Sequence, residues 1–333
     1  MITNQLAIGS LSLGQHPSHA LDHKVRVAAQ AGFAGIEIVF SDLERFSRTN
    51  GLSVFEGASR IRAICDDNGL SILSLAPFEN YEGDRSPLID RLQKATQWIE
   101  IARILHAPFL QVPAQYGVDA IDDEDIITRE LRQLCDLGSS KRPLVSIAYE
   151  PMSWSTCHST WESSVKLVES VSRENFGLCL DTFHIITKLW ADPFAPSGTY
   201  PDADNILRDS LRRFVRECPL EKIFFVQLSD GERFDPPFSK DHPWYVEGEA
   251  PQFTWSKHAR PFPYETELGA YMPVAEVARA WIVETGYKGW VSLEIFDRRM
   301  RDEDSKVVEY AALRAMDSWK KLKHELEVTQ PKI

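Results

Sequence analysis

The sequence predicts an α/β fold, a single (βα)8 TIM barrel in which eight parallel strands alternate with helices. Three features of the 333 residues support this prediction. Eight short strand-like segments recur along the chain, a stretch of helical periodicity follows each of them, and the connections at the two ends of the strands differ in length. No linker-like tract, internal repeat or low-complexity segment divides the chain, so we expect residues 1–333 to form one domain.

The predicted strands are short, apolar segments with the composition of buried β-structure. In chain order they span Leu6–Leu13, Gly35–Phe40, Ser71–Phe78, Phe109–Ala114, Val145–Glu150, Phe176–Asp181, Ile223–Ser229 and Trp290–Phe296. The helical stretches between them repeat apolar residues every three or four positions, which places those residues on one helix face. This spacing is clearest at Leu88, Leu92, Ala95, Ile99 and Ala102, and after the last strand at Val308, Ala312, Ala315, Trp319, Leu322 and Leu326.

Connection lengths give the predicted barrel a direction. The helix-to-strand connections at residues 31–35, 67–71, 173–176 and 285–289 are short. Two strand-to-helix connections, residues 183–202 and 230–273, are long. Barrel enzymes build their active sites from strand-to-helix loops, at the C-terminal ends of the strands. We therefore expect both long loops to lie over the C-terminal face, with the functional residues beneath them.

Strand alternation places one inward polar side chain near the end of each of the last four strands. Successive side chains of a strand point to opposite faces. In the segments VSIAYE, FGLCLD, VQLS and VSLEIF, the bulky apolar residues share the face that would meet the helices. The opposite face carries small residues and one polar residue per strand. These four residues are Glu150, Asp181, Gln227 and Glu294.

Three carboxylates and one amide oxygen in a barrel mouth predict a metal site. Carboxylates that close to one another would raise one another's pKa values unless a cation compensates their charge. An all-oxygen set favours a hard divalent ion such as Mg2+ or Mn2+ over structural zinc. Four protein ligands leave two octahedral positions for a chelating substrate. A barrel-closing ion pair would explain any one of these residues, but four matching positions favour the metal.

Composition and charge exclude several functions. A net charge of −12 argues against nucleic-acid binding, which requires Lys and Arg surfaces, whereas an anionic small molecule would need a locally basic pocket. The sequence contains no apolar run of 18 residues and no secretory signal, so we expect no membrane association and a cytoplasmic location. Five cysteines without a CxxC motif predict mostly buried thiols. The sequence leaves open whether the protein forms a homo-oligomer.

Several segments carry a resemblance to known enzymes. AYEPMSWST, CLDTFH, FFVQLSDGE and GWVSLEIFDRRM resemble segments of the xylose-isomerase-like barrel superfamily, which includes sugar isomerases, epimerases and DNA-repair endonucleases. More closely, the chain resembles the family of fungal 3-dehydroshikimate dehydratases over nearly its whole length. The segments GSLSLG, GIEIVFSDL, QVPA and LGAYMPV and the PF…Y pattern at Pro77–Tyr81 carry this closer resemblance. The family's metal ligands fall on the same four residues that strand alternation selects.

The resemblance implies a metal-dependent dehydration of 3-dehydroshikimate to protocatechuate in quinate and shikimate catabolism. One divalent ion, Mg2+, Mn2+ or Co2+, would stabilise an enolate. His184, three residues after Asp181, is our candidate for acid–base work because histidine exchanges protons near neutral pH. A supporting or surface histidine is the alternative. Glu37, inward on the second strand, is expected to assist by bonding a substrate hydroxyl or orienting a ligand, unless it forms an ion pair within the barrel.

The anionic substrate implied by the resemblance needs positive charge in an acidic mouth. Arg260 in the long loop 230–273 and Arg85 after the third strand are candidates, since an Arg–carboxylate pair can be bidentate. An ordinary surface arginine is the alternative for each. Tyr81 beside Arg85 and Gln111 in the fourth strand are further candidates for substrate binding.

Two other enzyme classes fit parts of the pattern. A sugar or hydroxyketone isomerase or epimerase would use the same metal site and the same proton abstraction, and only the resemblance separates it from a dehydratase. A nucleic-acid enzyme is disfavoured by the net charge and by Gln227, because a multi-zinc site would need more histidine ligands. A metal-dependent binding protein without catalysis is the least favoured interpretation.

Overall fold

The computed structural model describes residues 2–328 and contains a closed barrel of eight parallel strands. The barrel strands are β1 (Leu6–Gly9), β2 (Gly35–Val39), β3 (Ser71–Ala76), β4 (Phe109–Pro113), β5 (Ser146–Glu150), β6 (Phe176–Asp181), β7 (Ile223–Leu228) and, after the short strand β8 (Ala259–Arg260), β9 (Trp290–Leu293). Each strand pairs with its neighbour along the chain, and β9 closes the barrel on β1. The predicted fold class is confirmed.

Helices follow the strands and cover the outside of the barrel. They are α1 (Leu21–Ala31), α2 (Phe40–Thr49), α3 (Val54–Asp67), α4 (Leu88–Leu105), α5 (Glu124–Ser139), α6 (Trp161–Val171), α7 (Thr182–Leu189), α8 (Ala203–Glu217), α9 (Pro251–His258), α10 (Val274–Ala278) and α11 (Val307–Val328). A π-helical stretch, Arg279–Glu284, continues α10. Side-chain caps start several helices: the Ser53 hydroxyl accepts from the Glu56 backbone N–H at α3, and the Asp123 carboxylate accepts from two backbone N–H groups at α5.

Strand alternation divides the apolar core into two parts. The larger part lies between the strands and the helices and includes Ile147, Leu178, Leu180 and Val226. The smaller part fills the barrel interior and consists of Ala7, Leu73, Ala148, Cys179 and Phe225. Ala148 and Cys179 therefore point inward, as the alternation in β5 and β6 predicts. The interior below the mouth is packed, so the site has an apolar floor.

Several predicted boundaries differ from the structure, among them that of the last barrel strand, which ends at Leu293 rather than Phe296. The first strand ends at Gly9 rather than Leu13, because Ser10–Leu13 form a 3-10 turn. Residues 183–202 are not a loop throughout, because Asp181 caps α7, whose buried residues Phe183 and Ile186 lie one turn apart. The second long connection, 230–273, contains α9 and β8, and β8 pairs with β10 (Phe296–Asp297) in an antiparallel ribbon. The apolar content of both segments reflects packing onto the barrel rim.

Two further expectations concern the membrane and the cysteines. Within residues 2–328, no helix combines the length and the apolar character needed to cross a membrane. All five cysteines are free thiols, and Cys65, Cys135 and Cys179 are buried, as expected.

Candidate metal centre

Neighbouring strands bring the four predicted metal ligands to the C-terminal mouth of the barrel. Glu150 and Asp181 are the last residues of β5 and β6, and Gln227 lies opposite Asp181 in the register of β6 and β7. Glu294 follows β9, and its backbone N–H donates to the Leu228 carbonyl at 3.3 Å. Three of these residues are buried and Glu294 is partly buried. The strand ends thus place three acidic groups in a space with little access to water.

Glu150 and Asp181 form a compact group with His184. One ligand atom from each of these three residues lies within 4.8 Å of the others, and the group is the only one of its kind within residues 2–328. All three residues are buried. His184 comes from the first turn of α7, which begins directly after Asp181, so one short strand-to-helix junction supplies two of the three groups. This group can hold a divalent metal ion.

The hydrogen bonds of His184 favour a proton-transfer role over a ligand role. The backbone N–H of Ser153 donates to Nδ1 at 3.3 Å, so Nδ1 carries the lone pair. In the neutral ring, Nε2 then carries the proton, and Nε2 lies 3.3 Å from Glu150 Oε1. A histidine that binds a metal through Nε2 normally donates its Nδ1 proton to a neighbour. The Ser153 contact opposes that tautomer and directs the Nε2 proton towards Glu150.

Gln111 and Glu37 hold the candidate ligands from below. The Gln111 amide, on β4, donates to Glu150 Oε2. Glu37, on β2, accepts from the Ser74 hydroxyl at 2.8 Å and from Gln227 Nε2 at 3.1 and 3.2 Å. Gln227 Nε2 also donates to Glu294 Oε1 at 3.1 Å. Of the two roles predicted for Glu37, these contacts fit the orientation of a ligand.

Arg260 lies among the carboxylates and is almost fully buried. Its Nη2 donates to Asp181 Oδ2 and, at 3.0 Å, to Glu294 Oε2. Its Nε donates to Ser229 Oγ at 2.8 Å and its Nη1 to Ser256 Oγ at 3.3 Å. Arg260 was predicted to bind the substrate carboxylate, and the structure places it at the site but on two candidate metal ligands.

Burial dominates the electrostatics of the acidic groups. It raises the pKa of Glu37, and it raises the pKa of Glu294 to about 8 although the Arg260 charge acts in the opposite direction. The repulsion of Glu150 adds to both shifts. One guanidinium therefore does not fully compensate Glu37, Glu150, Asp181 and Glu294. The donor set of buried carboxylates and an amide fits a divalent cation, which would supply the missing positive charge.

A cavity of about 220 Å³ opens above the acidic groups. Its lining combines site residues with an aromatic wall: Trp154 contacts the His184 ring edge-on at 4.7 Å and packs against Phe253, which packs against Tyr116. Lys257 at the rim pairs with Glu249 at 2.7 Å and lies over the Phe253 ring. Gln111, Glu150, His184, Arg260 and Glu294 all line this cavity. The cavity is large enough for a small cyclic acid.

Two predicted substrate-binding residues lie away from this cavity. Tyr81 is fully buried, and its hydroxyl donates to the Glu130 carbonyl of α5 at 3.0 Å. Arg85 is exposed, and its Nε donates to the Asp119 carbonyl at 2.7 Å. Both follow β3 in a segment that turns outward towards α4 and α5. A position close in sequence to a strand end therefore did not predict that a side chain reaches the cavity.

Sequence reasoning missed two residues that support the site. Ser229 bonds both Arg260 and, at 3.4 Å, Asp181 Oδ1. It lies two residues after Gln227, so the alternation that selected Gln227 would also have selected Ser229. Trp154 belongs to the motif AYEPMSWST, but an aromatic residue in a loop after β5 has no periodic signal that predicts its position.

Comparisons with known proteins agree with this architecture. A family model described as a xylose isomerase-like TIM barrel matches residues 25–322. The 3-dehydroshikimate dehydratase of Neurospora crassa is 39% identical over 98% of this chain and 95% of its own length. A solved fusion of a xylose isomerase-like TIM barrel with 4-hydroxyphenylpyruvate dioxygenase has a TM-score of 0.72 at 25% identity, covering 99% of this chain and 46% of that one. The IOLI protein, solved with a zinc atom, has a TM-score of 0.68 at 16% identity, covering 98% and 100%, which supports the fold alone.

Proposed function

Because the chain belongs to the xylose isomerase-like TIM barrel family, we propose that it is a hydro-lyase that converts 3-dehydroshikimate to protocatechuate with one divalent metal ion. The observation that carries this proposal is the likeness to the Neurospora dehydratase, which extends over almost the full length of both chains. The buried acidic centre beneath a small cavity is the chemical arrangement that such a reaction needs. In the cell, we place the enzyme in the cytoplasm, in quinate and shikimate catabolism.

Glu150, Asp181, Gln227 and Glu294 are the proposed metal ligands. The carboxylate oxygens favour Mg2+ or Mn2+, with Co2+ as a further candidate. Gln227 would contribute its Oε1, which here accepts from Cys179 Sγ at 3.1 Å, by turning its amide group. When bound, the cation would act as a Lewis acid and stabilise negative charge on the ketone oxygen as the adjacent carbon loses its proton. Glu37 keeps Gln227 in place, and Gln111 keeps Glu150 in place, through the hydrogen bonds described above.

His184 is the proposed acid–base residue. The Ser153 backbone N–H donates to Nδ1, so the neutral ring holds its one proton on Nε2 and would donate a hydrogen bond to the departing hydroxyl group. Transfer of a proton to that group would take place from the imidazolium form, which returns to the neutral ring as water leaves. The Trp154 ring packs against the imidazole at a steep angle, with the ring centres 4.7 Å apart. A proton donor in this position makes hydroxide loss easier, because water is a far better leaving group than hydroxide.

The substrate is a small carboxylic acid, and two positively charged side chains in the cavity could pair with its carboxylate. Arg260 and Lys257 both line the cavity, and each is already paired with an acidic side chain. The cavity therefore contains positive charge although the whole chain carries a net charge of −12. This local charge would attract an acid, whereas a polyanion such as nucleic acid would meet the acidic surface.

Ultraviolet absorbance of the purified protein with 3-dehydroshikimate tests the proposal. With Mg2+ or Mn2+ we expect an aromatic absorbance band of protocatechuate to grow, to disappear with EDTA and to return when metal is restored. No band with any divalent metal would contradict dehydration. It would favour an isomerase or epimerase of another hydroxyketone, which would begin with the same proton abstraction and would use the same site.

A further inference from the structure

Arg260 shares its hydrogen-bonding partners with the proposed metal. Its Nη2 donates to Asp181 Oδ2 and Glu294 Oε2. The other oxygens of these carboxylates also have partners: Asp181 Oδ1 accepts from the Phe183 backbone N–H at 2.8 Å, and Glu294 Oε1 accepts from Gln227. The guanidinium therefore holds the carboxylate oxygens that remain for a cation.

Charge makes simultaneous occupation unfavourable. A guanidinium that donates to two metal-binding carboxylates would lie only a few ångströms from the metal. Two positive charges so close repel strongly in a buried site, where the effective dielectric constant is low. Arg260 is 1% exposed, so water does not screen this repulsion. The cation and the guanidinium are consequently expected to compete.

Besides the two carboxylates, Arg260 contacts two serine hydroxyls and two aromatic rings. Its Cζ lies 5.0 Å from the centre of the Phe183 ring and 5.2 Å from that of the Phe296 ring, so aromatic rings contact the planar group without fixing it by hydrogen bonds. Its Nη1 points to Ser256, and both residues line the cavity. A shift of the guanidinium along the rings would expose its donors to a ligand in the cavity.

We propose that Arg260 and the divalent cation are alternative partners of Asp181 and Glu294, and that the cation, on binding, turns Arg260 towards the carboxylate of the substrate. The second half of this statement rests on the proposed function. The acid then binds after the metal, because Arg260 is released only when the metal takes its carboxylates. Arg260 thus acts as a positioning and binding residue that couples the two binding events.

Metal affinity of an Arg260→Met variant tests the competition. The protein is stripped with chelator and titrated with Mn2+ by calorimetry. Loss of the competing charge should tighten Mn2+ binding by about tenfold or more.

Lys257→Met is the matched control. It removes a positive charge from the same cavity, but Lys257 pairs with Glu249 rather than with a proposed metal ligand. Its Mn2+ affinity should stay within about twofold. Unchanged or weaker Mn2+ binding by Arg260→Met would show that Arg260 supports the metal site, and would overturn the proposal.

Benzenesulfonate binding by the unaltered protein provides a test that does not depend on folding of the variant. A sulfonate can pair with a guanidinium but is a weak ligand of Mg2+, so its binding reports the release of Arg260 rather than coordination to the metal. We expect its binding to strengthen by about tenfold or more when Mg2+ is added, because Arg260 becomes available. Equal affinity with and without Mg2+ would overturn the proposal. Neither measurement requires turnover, so failure to dehydrate 3-dehydroshikimate would count only against the proposed function.

Discussion

Asp181 illustrates how a single residue serves both the site and the fold. It ends β6, contributes to the acidic group with Glu150 and His184, and accepts the Phe183 backbone N–H that caps α7. Asp181→Asn keeps an oxygen for the cap but removes the charge that a divalent cation needs. We expect Mn2+ affinity to fall by about 100-fold or more and kcat/KM by about 1000-fold, with little loss of helix. Calorimetry and circular dichroism measure the two effects. Retention of full metal affinity would remove Asp181 from the ligand set.

A substitution of His184 can distinguish a role in proton transfer from a role as a metal ligand. In His184→Asn, the amide oxygen can still accept the Ser153 backbone N–H, but the proton donor at Nε2 is lost. We expect kcat to fall by about 100- to 10,000-fold, because general acid catalysis is lost. Mn2+ affinity should stay within about twofold of the original value. A collapse of metal binding in this variant would instead identify His184 as a ligand.

At the scale of elements, a buried carboxylate joins the segments that follow β3 and β4 to strand β5. Glu82, after β3, accepts from the Gln115 backbone N–H at 2.7 Å and from the Tyr149 hydroxyl of β5 at 2.9 Å. Burial raises its pKa to about 7, whereas an exposed glutamate has a pKa near 4.5. The Glu82 carboxyl group therefore holds its proton more tightly in the folded protein than in the unfolded chain. The resulting stability is complete below about pH 4.5 and is lost as the pH rises through about 7.

Glu82→Gln tests this linkage. The variant keeps an acceptor for Gln115 and Tyr149 but cannot ionise, so it should gain stability relative to the original protein as the pH rises from about 4.5 to about 8. The gain should be about 3 kcal/mol, measured as the difference in free energy of unfolding by urea at each pH. An exposed control, Glu303→Gln, should follow the original protein at every pH. A constant difference between Glu82→Gln and the original protein would contradict the raised pKa.

At the scale of the whole molecule, closure of the barrel depends on a small interior core. Phe225 is fully buried there with Ala7, Leu73, Ala148 and Cys179, directly below the acidic mouth. Phe225→Ala would leave a cavity that the closed sheet can fill only in part. We expect a loss of about 3–5 kcal/mol in the free energy of unfolding, measured with urea. Leu313→Ala, at an exposed position of α11, should change it by less than about 0.5 kcal/mol. Equal losses would mean that the interior is not a separate packed core.

The sequence by itself determined the closed barrel and the four polar positions at its mouth. Both follow from short-range periodicity: alternation with a period of two assigns Glu150 and Asp181 to the inner face without any knowledge of their neighbours. Parallel strands that are joined in order then bring their C-terminal ends together, so strand-end residues meet at one mouth.

Only the tertiary structure decided which residues from the loops reach the site. Arg260 meets Asp181 across 79 residues of sequence, on a short strand that pairs with another after β9. No periodic pattern encodes such a contact. Tyr81 and Arg85, close in sequence to a strand end, bond other partners instead: Tyr81 bonds the Glu130 carbonyl of α5, and Arg85 bonds the Asp119 carbonyl in the loop before α5. The physical reason is that the pleat of the sheet sets the orientation of a strand residue's side chain, whereas the orientation of a loop residue's side chain depends on its tertiary contacts.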